Sequence, residues 1–325
     1  MLCRAVLAAG CLLISGQSQA NGVFALKLSN DFFGAGVSDG HYTHGLEGSY
    51  AFAPGPSHWT SSLAERLPGW QRESLDAVAW RVGQRIYTPE RIEIETLIED
   101  DRPYAGYLYA GLSLYGNSLS PQWRINDALS LEAGLVGPGS GARLVQESFH
   151  DLVQSNEPEG WHHQLHQEPT LTLAWQRHWW YRDRLGLLEL EYGPATGIAL
   201  GNLYDYASAG LGIRLGPRLD HQYATFGAAP AATGNPLFTR AQGLDWHLFV
   251  HAQGRFVARN LFIDGNTFED SHRVDRRQWV GDFQVGGALR WTRYSLSLST
   301  LARTREFRQQ ADNDFFGILT LTTRL

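Results

Sequence analysis

Apolar and polar residues alternate with a period of two over most of this chain, and few folds accommodate that pattern at such length. From His41 to Phe52, His41, Thr43, Glu47 and Ser49 share one face, and Tyr42, Leu46, Tyr50 and Phe52 share the other. The period returns in Val78, Trp80, Val82 and Ile86, and in Leu129, Leu131, Ala133 and Leu135 opposite Ser130 and Glu132. It returns again in Leu244, Trp246, Leu248 and Val250 opposite Asp245, His247 and His251, and in Phe283, Val285, Leu289 and Trp291 opposite Asp282, Gln284 and Arg290. Successive side chains of a strand point to opposite faces, so each segment is a ribbon with one wet and one greasy side. Charged groups on one face and aromatic residues on the other fit a membrane barrel with a polar interior.

About twelve such segments are expected, near residues 22–30, 41–53, 76–88, 104–116, 124–137, 169–180, 184–198, 204–217, 241–257, 273–291, 293–306 and 314–325. The number is even, as bacterial outer-membrane barrels require. The last segment, FFGILTLTTRL, sets Leu319, Leu321 and Leu325 on one face and resembles a terminal barrel strand, although it ends on Leu instead of an aromatic residue. The expected fold is therefore all-β, a twelve-stranded antiparallel transmembrane β-barrel. A soluble β-sandwich has the same alternation, and the connections 54–75 and 218–240 are long for periplasmic turns.

The first twenty residues, MLCRAVLAAGCLLISGQSQA, place Arg4 before a short apolar run and finish on Ser18-Gln19-Ala20, the small-x-small pattern of a signal peptide. The expected organisation is a signal peptide at 1–20 and one barrel domain at 21–325. Both cysteines, Cys3 and Cys11, fall in the leader, so the mature chain needs neither disulfides nor thiolate metal sites. Beyond it, charges, Gly or Pro interrupt every apolar run well short of the roughly 20 residues of a spanning helix. The formal net charge of −6 argues against a nucleic-acid partner. Nearly all the positive charge is Arg, with Lys27 the only lysine, a bias that suits phosphate recognition but also follows from base composition.

One connection has another period. In GSGARLVQESFHDLVQS, residues 139–155, Leu144, Val145, Phe149, Leu152 and Val153 recur at helical spacing, and Gln146 and His150 are four apart on one face. A short helix is expected there, in an extracellular loop. If strand one runs outward, Asn30-Asp31, Thr43, the acidic loop PERIEIETLIEDDRP and His150 all reach the outer rim. Taken singly these residues are ordinary: Asn-Asp at a strand end is turn chemistry, Thr43 a β-former, Glu99-Asp100-Asp101 a solvated loop that could also hold Ca²⁺, and His150 a loop histidine. The run His162-His163-x-x-His166 could bind a transition metal.

The pentapeptide NDFFG occurs twice, at 30–34 and 313–317. The first copy belongs to a wider set: Asn30-Asp31, DGHYTHGL (39–46), QRIYTP (84–89), DDRPYAGYLYAG (100–111), GLVGPGSGARLVQESFHDL (134–152) and EGWHHQLHQEP (159–169). Through these the chain resembles the outer-membrane lipid A deacylases of the LpxR family over its whole mature length. The resemblance implies a bacterial outer-membrane enzyme that hydrolyses the 3′-linked acyloxyacyl ester of the lipid A of lipopolysaccharide, dependent on Ca²⁺. By position, Asn30 and Asp31 match the family's Asn-Asp pair, Thr43 its threonine and His150 its essential loop histidine. The residue types at those positions then suggest His150 as general base, Asp31 as the side-chain ligand of Ca²⁺, and Asn30 and Thr43 as hydrogen-bonding groups. The second NDFFG, with Asp314, is then a strand-edge and turn sequence. Outer-membrane lipids are the expected surroundings, with no obligate protein partner evident. Two alternatives stay open: an outer-membrane phospholipase with a Ser nucleophile, and a non-catalytic porin-like barrel.

Overall fold

The computed structural model describes residues 22–31, 41–67, 70, 75–154, 156–219 and 243–325. The leader at 1–20 with both cysteines, Phe32 to Gly40, and the connection from 220 to 242 lie outside the described residues. Twelve strands follow in order: β1 (Val23–Asn30), β2 (His44–Phe52), β3 (Leu75–Tyr87), β4 (Ala105–Leu119), β5 (Trp123–Val136), β6 (Glu168–Leu185), β7 (Leu188–Gly201), β8 (Tyr204–Gly216), β9 (Leu244–Asn260), β10 (Trp279–Trp291), β11 (Tyr294–Arg303) and β12 (Asp314–Arg324). Each pairs antiparallel with its neighbours, and β1 pairs with both β2 and β12, closing the barrel. Closure removes every exposed sheet edge, which excludes the sandwich.

The alternation is used inside out. Leu131, Leu248, Phe283, Val285, Leu289 and Trp291 are exposed on the outer wall, while Glu132, Asp245, His251, Asp282, Gln284 and Arg290 are buried in the lumen. The charges are neutralised in place: Arg303 Nε donates to Asp282 at 2.8 Å with Arg255 at 3.1 Å on the same carboxylate, Arg177 grips Asp127 at 2.8 and 2.9 Å, and Arg81 reaches Glu47 at 2.9 Å. A buried charge stripped of its partner costs about 3–5 kcal/mol, so these pairs commit the inner face to the lumen. Tyr42 departs from the expected pattern. It packs inward on Tyr87 and Phe316 and its hydroxyl meets Ser29 Oγ at 2.6 Å, because the strand begins only at His44 and Tyr42 lies in the bend before it.

The ends of the barrel differ. At one lie both described chain ends, where Leu325 N donates to Gly22 O at 2.9 Å; the connection after β2 there carries the short helix α1 (Trp59–Ala64), started by His58. At the other, the loop end, the lumen is filled. The hydroxyls of Tyr87 on β3 and Tyr204 on β8 meet at 3.0 Å across the barrel. Residues 261–278, expected in part as strand, instead form the helical turn α3 (Leu261–Asp264) and a loop, and Phe262 stacks on Tyr87 with ring centroids 4.1 Å apart.

The predicted helix is present as α2 (Ala142–Val153), held between left-handed Gly141 and Gln154. Its two sides are mixed, each carrying polar and apolar residues. Ala142, Gln146 and His150 are buried against the wall, whereas Leu144 and Phe149 are 49% and 50% exposed. The side chains of Leu152 and Val153 lie outside the described residues.

Candidate active site

Four features fasten α2 to the outer wall of β3 and β4. Ile86, Ile92, Tyr104, Ala142 and Trp161 form one buried cluster, with Val145 packed against it. Gln84 on β3 donates from Nε2 to Ser140 O at 2.7 Å, just before the helix starts. The indole of Trp161 donates to Gln146 Oε1 at 2.9 Å. Finally, Gly106 on β4 has no side chain because none fits: a Cβ there would lie 2.1 Å from Ser140 Oγ and 2.2 Å from Ala142 Cβ. Glycine permits this approach, and the face carrying Ala142, Gln146 and His150 is thereby pressed to the wall.

His150, read from sequence as a loop histidine, is 4% exposed: the helix covers it. Its Nδ1 lies 2.5 Å from the Asn156 carbonyl oxygen. A carbonyl only accepts, so Nδ1 carries the proton and Nε2 is left with the lone pair in the neutral ring.

Asn30, Asp31 and Thr43 lie together at the lip of the neighbouring strands. Asn30 ends β1, opposite His44 of β2 and Gly317 of β12, and its Nδ2 donates to Thr43 O at 2.8 Å. Thr43 is fixed by its own N–H to Ile86 O at 3.1 Å and by a 2.8 Å contact between its Oγ1 and Thr88 Oγ1. Asp31 is 4% exposed. The link to the helix runs through rings: Phe149, beside His150, lies parallel to His44 with centroids 6.5 Å apart. The structure thus brings Asn30 and Thr43 into hydrogen-bond contact, and it joins His150 to them by way of Phe149 and His44. Phe149 and His44 were not singled out from sequence, although their positions within the two motifs would have suggested both.

The other metal candidates fare differently. Among the described residues no group of three or more His, Cys, Asp or Glu is arranged to hold a metal ion. In the HHxxH run, His166 pairs with the exposed Glu269 at 2.9 Å while the His162 and His163 rings lie against each other. Of the acidic run, Glu99 and Asp100 are exposed, and Asp101 accepts from the backbone N–H of Glu90 and Arg102 and faces His41.

Asp314, expected in a strand-edge and turn sequence, does open β12, but it is 7% exposed and its Oδ1 lies 2.7 Å from His41 Nδ1, so its side chain does more than shape a turn. Burial opposes charge on His41, but hydrogen bonds to Asp101 and Asp314 outweigh it and raise its pKa to about 9.

A closed antiparallel barrel with an apolar wall, a charged lumen filled at its loop end, and a loop helix seated on the outer wall defines an outer-membrane β-barrel protein. The family described as outer membrane protein LpxR matches residues 1–325, and the chain belongs to that family. Among solved structures, LpxR from Salmonella typhimurium is similar at 21% identity, over 93% of this chain and 99% of that one, with a TM-score of 0.77. The β domain of the Bordetella autotransporter BrkA is similar at 9% identity, over 94% and 99%, with a TM-score of 0.46. No curated protein sequence matches the chain. Membership of the family supports an outer-membrane lipid A deacylase, a hydrolase.

Proposed function

We propose that this protein hydrolyses the 3′-linked acyloxyacyl ester of lipid A in the cleft between α2 and the outer wall, with its loop end facing the cell exterior. The observation that carries this reading is the placement of His150: a buried imidazole, its tautomer set by Asn156 O, on the wall-facing side of a helix that exposes Leu144 and Phe149 among polar residues on its other side. A lipid lying against the barrel would meet that cleft from the side.

The chemistry then follows from the residues. A water beside Nε2 of His150 gives up a proton to it while its oxygen bonds to the ester carbonyl carbon. Collapse of the tetrahedral intermediate breaks the bond to the sugar oxygen, which takes the proton back from the imidazolium. The products are the free acyloxyacyl acid and a sugar hydroxyl. Asn30 and Thr43 hold the lip and supply hydrogen bonds to the attacking water or the oxyanion.

The residues present fit the calcium ion that the family implies. Asp31 is a buried carboxylate next to Asn30 at the lip, a hard oxygen donor, and backbone carbonyls and water would complete a shell. Calcium would supply polarisation of the ester carbonyl and a counter-charge for the oxyanion.

Mass spectrometry of lipid A from cells with and without the gene tests the proposal. Loss of the mass of the 3′ acyloxyacyl group in the expressing cells is expected, and unchanged lipid A would defeat it. The porin-like alternative is disfavoured by the Tyr87–Tyr204 contact across the lumen, and the phospholipase alternative has no Ser paired with His150 among the described contacts.

A further inference from the structure

Three loop-end connections converge on one histidine. His41, from the connection before β2, is 7% exposed and left-handed at φ 70°, a conformation that non-glycine residues keep only when their surroundings hold them there. Asp314 at the start of β12 faces its Nδ1 at 2.7 Å, and Asp101 from the β3–β4 connection faces its Nε2 at 3.5 Å. Gln310 donates to Asp314 Oδ1 at 2.9 Å, and the edge of the Phe307 ring completes the enclosure. Arg102, the nearby cation, faces Glu306 at 3.5 Å. On the other side of the same short segment, His41 N–H donates to Thr88 O and Thr43 N–H to Ile86 O, both at 3.1 Å, while Thr43 O receives the Asn30 amide. The segment that shapes the lip is thus pinned at its start by a side chain and along its length by the backbone.

We propose that Asp314 and His41 form a buried clasp that fixes the lip segment 41–43, making His41 a positioning residue for the hydrolysis proposed above. The second NDFFG copy then serves the site without touching substrate. The consequence for activity rests on the proposed function; the clasp itself does not. The charge state agrees with the geometry. With a folded pKa of about 9, raised above the ordinary value, His41 is charged at neutral pH, and the stabilisation from its pairing is complete below the ordinary value and lost as pH rises through about 9.

The test compares the full chain, Asp314→Asn, His41→Asn and the double variant, each folded in detergent micelles. Asn tolerates the left-handed backbone but is too short to span to Asp314. Hydrogen exchange of the Thr43 amide reads the clasp without reference to catalysis: each single variant is expected to exchange roughly tenfold faster, and the double variant no faster than the singles. On lipid A, kcat is expected to fall roughly tenfold with KM nearly unchanged. Wild-type activity should decline as pH rises through about 9, and in Asp314→Asn that decline should move to lower pH. Unchanged Thr43 exchange, additive effects in the double variant, or failure of both single variants to assemble would overturn the proposal. If the wild type releases no acyl group under any condition, the functional reading falls, and Thr43 exchange alone decides the clasp.

Discussion

Ala142 rests on Gly106: the Cβ of the first residue of α2 occupies the space where any side chain on that strand position would begin. This close approach seats the helix on the wall, and with it Gln146 and His150. Gly106→Leu should therefore lift the helix while leaving the twelve-strand hydrogen-bonding intact. Loss of deacylation by roughly a hundredfold, with a normal heat-modifiable band shift on gels, is the expected result. A variant that retains full activity would show that the cleft does not depend on this contact.

His150→Ala should remove the proposed base. A loss of the order a single general base contributes, roughly 10²–10⁴-fold, is expected. Because the imidazole is buried under the helix, some local loosening of α2 is also expected, and protease nicking near residue 154 would report it. The barrel should still assemble, since His150 sits outside its wall.

Chelation should silence deacylation and added Ca²⁺ should restore it. The same ion should raise the thermal midpoint of the wild-type protein, and Asp31→Ala should lose both responses. A thermal shift that survives in Asp31→Ala would move the ion away from this carboxylate.

The inverted distribution of residues gives two opposite stability predictions. Val285→Arg, near the middle of β10 on the outer wall, should cost about 2–4 kcal/mol in lipid vesicles. Asp282→Ala, facing the lumen, should cost about 3–5 kcal/mol because Arg255 and Arg303 lose their shared partner. Urea titration into vesicles measures both. In a soluble protein the outer-wall substitution would be nearly neutral.

Planar bilayers holding the purified protein should show no steady porin-like conductance, since Tyr87, Tyr204 and Phe262 fill the loop end. Open-channel currents would contradict the closed lumen.

The barrel was legible in the sequence because one physical fact, two solvents on two sides of a strand, repeats twelve times. The helix at 142–153 was legible for the same reason at a different period. What escaped was everything that depends on chain-distant contact. Asp314 reads as a turn residue because its partner, His41, is 273 positions away. The alternation puts Tyr42 on the outer face, but the strand starts only at His44, and nothing in the residue types at 41–43 announces the bend before it. The start of β10 was set too early because residues before Trp279 are used to cap the lumen, which local pattern does not distinguish from pairing.

Asn30 has one further property. It stands on the strand that meets β12, so one flank of the proposed site exists only when the first and last strands of the sheet have joined. That junction has the greatest sequence separation of any in the molecule, and the entropy of bringing chain segments together grows with separation, so it is the costliest seam to sew. A precursor still in transit, with its two ends apart, would carry every residue of the site and none of its geometry. The proposed activity is thereby tied to completion of the hoop, and on that reading the topology acts as its own zymogen.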